Sequence, residues 1–300
     1  MKFGILGAGN IAGKMATTIN KMKDAGLGDV ELYAVASRNP EKAEAFAEKN
    51  QVQKAYGSYE AMLEDPELDL VYVATPHSHH FEHGKLCVTY GKAALVEKPF
   101  TANAAKAREL FSLAEEKGVL VTEAIWTRYQ PMRQMIVDFI SSGIVGEPFT
   151  LTANISHPIS HNKRLVNPAL AGGALLDVGI YTLTFAEMLF GRPDTVQGFC
   201  LNNEYGVDKQ NSITLTWGGS RMAVLNSGTE ARSDQRGIIY CTKGYIIVEN
   251  ITNPQSMTAY DNSYQPIMTI PCPTQLTGYE YEVLETAAAL KNGALECPSI

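Results

Sequence analysis

The sequence predicts an α/β protein in two parts: an N-terminal Rossmann domain with a parallel sheet, and a C-terminal α+β domain with a largely antiparallel, open-faced sheet. Three observations predict it. Strand-like and helix-like patterns alternate through residues 1–122, and repeated β-α-β units require a parallel sheet with helices on its faces. The first apolar strand runs straight into Gly7-Ala8-Gly9-Asn10-Ile11-Ala12 and then a helical pattern, the strand-turn-helix setting that gives a glycine-rich turn its meaning. From Val196 to Tyr260, alternating apolar and polar segments follow one another without helices between them, which marks antiparallel pairing.

In order, Lys2 to Leu6 reads as a core strand and Ile11 to Asp24 as a helix. Val30 to Ala36 is the second strand, and Pro40 to Lys49 is a helix with proline at its first turn. A short helix from Ser58 to Leu63, a strand from Leu68 to Ala74 and a helix from Ser78 to Tyr90 follow. Ala93 to Val96, the amphipathic helix Asn103 to Lys117, and Val119 to Thr122 close the series. In the second half, helices are expected over 132–142 and 174–190, and strands over 149–156, 196–201, 213–217, 221–226, 236–241, 245–249 and 257–260. Gly218-Gly219 suits a hairpin turn, and a last helix starts near Tyr279. The expected domains are 1–122, for the dinucleotide, and 123–300, for substrate and oligomerisation.

The 300 residues carry a net charge of −7, which argues against a nucleic-acid partner and against attraction to anionic lipid. The front of the chain reads as a strand and not as a signal peptide, and no apolar run is expected to reach the roughly 18 residues of a membrane helix. Five scattered cysteines, never spaced C-x-x-C, point away from a disulfide framework or zinc site and towards a reducing, cytoplasmic location.

Gly7 permits the tight turn after the first strand, Gly9 lets backbone approach a pyrophosphate, and Ala12 keeps the helix close. Asn10 and Ile11 then offer helix N-terminal N–H groups to the phosphates. The second strand decides which dinucleotide. Glu31 stands at its wrong end, about 20 Å from the phosphate edge. At the right end stand Ser37 and Arg38, a hydroxyl and a guanidinium suited to a 2′-phosphate. NADP is therefore expected, with NAD as the alternative in which Arg38 stacks on adenine and Ser37 caps the next helix.

Two further motifs bear on chemistry. Glu97-Lys98-Pro99 follows a strand and puts Lys98 at the carboxyl edge of the sheet, where open α/β folds bind ligands. Gly172-Gly173-Ala174-Leu175-Leu176-Asp177-Val178-Gly179-Ile180-Tyr181 places Asp177 and Tyr181 four apart, on one face of a helix. Singly, Lys98 reads as a solvated lysine and Tyr181 as a core tyrosine.

Together with Ala74-Thr75-Pro76 and His80, these motifs resemble the Gfo/Idh/MocA family of sugar and polyol oxidoreductases over nearly the whole chain. Within it, Glu123 to Tyr129 and the closing tyrosine are most similar to the dimeric dihydrodiol dehydrogenases and nearby sugar dehydrogenases. The resemblance implies hydride transfer between nicotinamide C4 and a hydroxyl or carbonyl carbon of a sugar, polyol or cyclic diol. Tyr181 would be the acid/base, Lys98 would assist it, and Asp177 would orient Lys98 or bind substrate. A free phenol titrates near ~10, so a neighbouring ammonium would help it act as a base. The resemblance also puts Thr75, Pro76, His77, His80, Glu97 and Lys98 beside the cofactor, and Trp126 and Arg128 at the nicotinamide wall. It implies a homo-oligomer, dimer or tetramer. Relatives usually continue with a further helix where this sequence reads Cys297-Pro298-Ser299-Ile300.

The rival reading from another class is a non-catalytic dinucleotide sensor, which has no need of Lys98 or Tyr181. His77, His79, His80 and His83 form a cluster in which His79 and His83 are spaced to share a metal, but no carboxylate or thiol evidently completes the site and no metal is expected. His157 and His161 lie in a Pro- and Asn-rich loop that could reach a substrate, with surface loop residues as the default reading.

Overall fold

A short run such as Lys2–Leu6 with no polar face is stable only where both faces are covered. In the computed structural model, which describes residues 1–300, this run is β1 (Lys2–Leu6), with four of its five residues buried. It lies inside a six-stranded sheet of order β3-β2-β1-β4-β5-β6, comprising also β2 (Glu31–Ala36), β3 (Lys54–Tyr56), β4 (Leu70–Val73), β5 (Ala93–Glu97) and β6 (Val121–Ala124). Every pairing is parallel. That order is the doubly wound one, and its carboxyl edge is where such sheets bind ligands.

Helices α1 (Asn10–Asp24), α2 (Pro40–Asn50), α3 (Tyr59–Leu63), α4 (His80–Thr89) and α5 (Ala104–Lys117) connect these strands. Helix α1 buries Ala12, Met15, Ala16, Ile19 and Met22. Helices α2, α3 and α5 start on side-chain caps, where Asn39, Ser58 and Asn103 accept from the amides of Lys42, Ala61 and Lys106; such a cap contributes about 1 kcal/mol.

The second sheet has eight strands: β7 (Pro148–Ser156), β8 (Thr195–Asn202), β9 (Asp208–Trp217), β10 (Arg221–Gly228), β11 (Gly237–Cys241), β12 (Gly244–Glu249), β13 (Ser256–Asp261) and β14 (Pro266–Pro271). Their order is β14-β13-β12-β11-β7-β10-β9-β8, antiparallel throughout except where β10 pairs with β7. Residues from α6 (Pro131–Ser141) and α7 (Ile180–Phe190) join one sheet face in a core that includes Ile136, Phe139, Phe185, Leu151, Leu225 and Ile246. The other face carries Phe199, Leu201, Met222, Val224 and Tyr240, all exposed, and a row of rings in which Tyr245 lies 6.2 Å from Tyr240 and 4.9 Å from Tyr260.

Four expectations need correction. Residues 275–300, including helix α8 (Glu280–Lys291), fold with residues 1–126, while 127–274 form the other unit; the last segment does not belong to the second domain as the sequence suggested. Strands β3 and β14 were not expected. The first is only three residues long, too short for periodicity to register, and the second is a proline-bounded edge strand. Finally, the helix expected over 174–190 is a π-helical turn, Leu175–Gly179, leading into α7. The stretch Pro168–Phe190 has the length and hydropathy of a membrane span, contrary to the expectation that no run reaches that length. It is nevertheless broken into three helical pieces, and Phe185 and Ala186 are fully buried in the core of this unit.

Asp65 organises one corner of the first unit. It accepts from the Tyr33 hydroxyl at 2.9 Å, Lys54 Nζ at 2.8 Å and the Tyr56 hydroxyl at 2.6 Å. Burial pushes its pKa up, but these bonds and the Glu67 amide outweigh that and hold it well below the usual carboxylate range. A depressed carboxylate stabilises the fold above its unfolded pKa, near ~4, and loses that contribution as pH falls through the folded value. Asp65→Asn is therefore expected to lower Tm at pH 7. The gap from wild type should narrow in thermal melts as pH drops below about 4; a gap independent of pH would exclude this role.

Candidate active site

At the phosphate turn, Gly7 has φ +107°, and a Cβ there would lie 2.8 Å from the Ala74 carbonyl oxygen, so a side chain is excluded by both conformation and space. Gly9 is the N-cap of α1, has no side-chain cap, and is followed by no acidic residue in the first turn. A Cβ on Gly9 would meet nothing within 4 Å. The first amides of α1, including those of Asn10 and Ile11, thus face no side-chain cap, and the space beside them is open, which fits a dinucleotide pyrophosphate.

Glu31 opens β2, and Ser37 and Arg38 follow its last residue, so the end of the strand facing the phosphate turn is the basic one. Ser37 is buried; its amide donates to the Tyr56 carbonyl and its Oγ accepts from the Asn39 amide at 3.3 Å. Asn39 caps α2, so Ser37 does not have the capping role the alternative gave it. Arg38 is exposed and stands by the Tyr59 phenol, whose pKa is raised by burial against the lowering influence of Arg38.

At the end of β4, Thr75 Oγ1 lies 2.9 Å from His83 Nδ1. Pro76 leads into a 3-10 turn containing the buried His77. His80 is almost wholly buried, with its two ring nitrogens 2.8 Å from the Pro99 and Thr75 carbonyl oxygens. Burial pushes its pKa down to about 4, so the neutral ring donates to one carbonyl at a time. His80 ties two ligand-edge loops together, a positioning task beyond the cofactor contact expected for it.

Glu97 is the buried last residue of β5. It accepts from the Tyr72 hydroxyl, and the Lys98 amide donates to its other oxygen at 3.1 Å. The Lys98–Pro99 bond is cis, and the Phe100 amide donates to Glu123 Oε1 at 2.8 Å. Glu97 therefore works inward, fixing the turn, and Lys98 follows at the carboxyl edge of the sheet.

The returning C-terminal segment contributes what sequence reading missed. Tyr279 stacks on Trp126, with ring centroids 4.3 Å apart and planes 12° apart. Trp126 Nε1 is buried with no hydrogen-bond partner. Glu282 is fully buried, and neither carboxyl oxygen has a partner. Burial, then the charge of Glu97, push its pKa well above the usual range. Acidic residues recurring within the apolar pattern of this last helix were the available signal.

In the second unit, Arg164 Nη2 donates to Asp177 Oδ1 at 2.9 Å, a partner not expected from the sequence. Arg128 pairs with Glu187 of α7. Tyr181 is half-buried against the core. Because 175–179 is a π turn, Asp177 and Tyr181 are not one α-helical turn apart as their spacing suggested. The motif glycines answer to packing: Gly173, at φ +114°, would drive a Cβ into Asp208, and a Cβ on Gly179 would lie 2.7 Å from Ser227 Oγ on β10. His157 is half-buried and His161 exposed. A cavity of about 420 Å³ opens by this loop, lined by Ser160, Leu165, Asp208 and Glu230; neither Asp177 nor Tyr181 lines it. No group of three His, Cys, Asp or Glu side chains is placed to hold a metal, and His79 and His83 stack on each other with centroids 5.5 Å apart.

A doubly wound sheet with an open glycine turn and a lysine at its carboxyl edge, joined to a second α+β unit, defines a nicotinamide-dinucleotide oxidoreductase class. Residues 1–125 match the oxidoreductase family with NAD-binding Rossmann fold, and residues 133–247 match the GFO/IDH/MocA C-terminal domain. The chain is 34% identical to the trans-1,2-dihydrobenzene-1,2-diol dehydrogenase of Xenopus tropicalis, covering 99% of this chain and 91% of that one. It is 30% identical to the Bos taurus protein of the same name, covering 100% and 91%. Similar solved folds include KijD10, a 3-ketoreductase from Actinomadura kijaniata in complex with NADP and TDP-benzene (TM-score 0.87, 23% identity, 98% and 90% covered). Another is the aldose-aldose oxidoreductase of Caulobacter crescentus complexed with glycerol (TM-score 0.86, 23% identity, 98% and 90% covered). The chain belongs to the Gfo/Idh/MocA family of NAD(P)-binding oxidoreductases.

Proposed function

We propose that this protein is an NADP-dependent dehydrogenase or reductase acting on a CH–OH group of a cyclic diol, sugar or polyol. The observation that carries the proposal is Lys98, set at the carboxyl edge of the Rossmann sheet by the Glu97 turn in a chain that also keeps Tyr181. The dinucleotide, held by the first amides of α1 and by Ser37 and Arg38, would supply hydride-transfer chemistry when bound. Tyr181 takes or returns the proton of the substrate hydroxyl, and Lys98 hydrogen-bonds the substrate oxygen and favours the phenolate. Asp177, oriented by Arg164, binds substrate hydroxyls. Trp126, backed by Tyr279, forms an apolar wall, and Arg128 is held by Glu187. The diol preference follows the names of the relatives at 30–34% identity.

NADP preference rests on Ser37 and Arg38, with no acidic residue at that end of β2. Titration with NADPH and NADH, followed by fluorescence, is expected to favour NADPH, and Arg38→Ala should cut that preference roughly tenfold or more. NADH preference in the wild type would overturn the reading of this pair, and binding without turnover of any diol or sugar would favour the sensor.

The proposal includes a cytoplasmic homodimer that covers the open sheet face. Phe199, Leu201, Met222, Val224 and Tyr240 make that face apolar. Val224→Lys, which puts a charge at its middle, is expected to give monomers by light scattering; a monomeric wild type would remove the dimer.

A further inference from the structure

His79 and His83 have no place in the chemistry above, yet they are built into the ligand edge of the first unit. A Cβ added to Gly7, at the phosphate turn, would lie 3.3 Å from Thr75 Cγ2, and Thr75 Oγ1 lies 2.9 Å from His83 Nδ1. Tyr59 sets its ring edge-on to His83 at 4.8 Å, and the same phenol stands by Arg38. His79 closes the other side, its ring stacked on His83 at 5.5 Å and 25° and its Nδ1 2.9 Å from Ser78 Oγ. A continuous row therefore runs from the pyrophosphate turn through Thr75, His83 and Tyr59 to Arg38. In a doubly wound sheet this row spans the place of the adenosine ribose, between the first glycine turn and the end of the second strand.

We propose that His83, buttressed by His79, is a second cationic contact for the cofactor's 2′-phosphate beside Arg38, and that it takes up a proton as that phosphate binds. The proposal rests on the dinucleotide reading above and extends it to a residue that selects NADP over NAD. The groups facing His83 are His79 from the turn before its own helix, Arg38 from the end of β2, and Tyr59 and Glu60 from α3. Without ligand, burial and the nearby His79 and Arg38 push His83 down to about 4, with Glu60 pulling the other way, so the ring is neutral near pH 7. A phosphate dianion reverses that balance, because an opposite charge within a few ångströms favours the imidazolium. The proton comes from solvent, and the charge-assisted bond it creates joins the bidentate contact available to Arg38. An imidazole so placed makes discrimination for the 2′-phosphate linked to proton uptake.

The test uses two halves of the cofactor that differ only in the 2′-phosphate, adenosine 2′,5′-bisphosphate and 5′-AMP. Calorimetry at pH 6.5–7 in buffers of different ionisation enthalpy gives both the affinity and the protons taken up. The 2′-phosphate itself titrates near this range, so the decisive quantity is the difference between wild type and His83→Asn. Asparagine keeps a hydrogen-bonding group towards Thr75 but cannot become cationic. The expected result is a ratio of the two affinities about tenfold lower in the variant, together with a smaller proton uptake for the bisphosphate only. His83→Gln, checked like His83→Asn for native circular dichroism, should behave alike. Equal ratios and equal proton uptake in wild type and variants would overturn the proposal while leaving the dinucleotide site intact. A wild type that prefers 5′-AMP would overturn it together with the NADP preference, and one that binds neither nucleotide would remove the dinucleotide reading as well.

Discussion

Lys98→Met and Tyr181→Phe are each expected to reduce turnover by roughly 10²–10⁴-fold, a barrier increase of about 3–5 kcal/mol, with NADPH affinity within a few-fold of wild type. Methionine keeps most of the lysine's unbranched stem and removes only the ammonium. The Glu97 carboxylate would still accept from the residue-98 amide, since that bond is to backbone, so the turn survives. Phenylalanine keeps the half-buried ring of Tyr181 packed against its core and deletes only the hydroxyl. Each substitution thus separates chemistry from folding, and kcat with nucleotide Kd, measured on the same preparation, gives the answer. If the ammonium and phenol act as one unit, the double variant should be little worse than either single one. Near-full activity in both single variants would remove the assigned roles and leave the sensor as the better account.

Glu280→Ala is expected to destabilise the protein by about 3 kcal/mol, the largest effect foreseen for a residue away from the chemistry. The Glu280 carboxylate is almost completely buried. It accepts from the amides of Leu276 at 2.6 Å, Thr277 at 3.0 Å and Gly278 at 2.7 Å, and from the Thr277 hydroxyl at 3.0 Å. Alanine leaves three backbone donors without that acceptor in a part-buried turn, and each such group costs up to about 1–3 kcal/mol before relaxation or water entry reduces the sum. The same turn delivers Tyr279 to Trp126, so tryptophan fluorescence should shift along with the denaturation midpoint. A midpoint within 0.5 kcal/mol of wild type would mean that water replaces the carboxylate and that the turn is not organised by it. Glu280→Gln, which keeps one acceptor, should fall between the two.

Much of the first unit was legible because its signals are local. Apolar runs of β1, β4 and β5 are too continuous for an exposed surface, Asn39 and Asn103 stand where caps belong, and Gly7 and Gly9 fall between a strand and a helix. These are statements about adjacent residues, which a linear pattern can carry. Lys98 was legible for the same reason, since the position of one residue after a strand fixes its place at the sheet edge.

Long-range placement was decided only in three dimensions. Nothing in the pattern of 275–300 says that it returns to the first unit, brings Tyr279 onto Trp126 and buries the unpartnered carboxyl of Glu282. The motif containing Asp177 and Tyr181 was recognised by spacing, but Gly173 and Gly179 owe their identity to Asp208 and Ser227, distant in sequence, and the π turn at Leu175–Gly179 changes the angle between the two polar residues. The salt bridge from Arg164 to Asp177 likewise joins a loop to a helix. By itself, then, the sequence determined the doubly wound sheet, its glycine turn, the antiparallel second sheet and the place of Lys98 after a strand, because short-range sterics and burial periodicity write those features into neighbouring positions. The tertiary structure decided which of these residues are tied inward, as Glu97 and His80 are, because burial and hydrogen bonding across long loops depend on contacts that no local pattern contains.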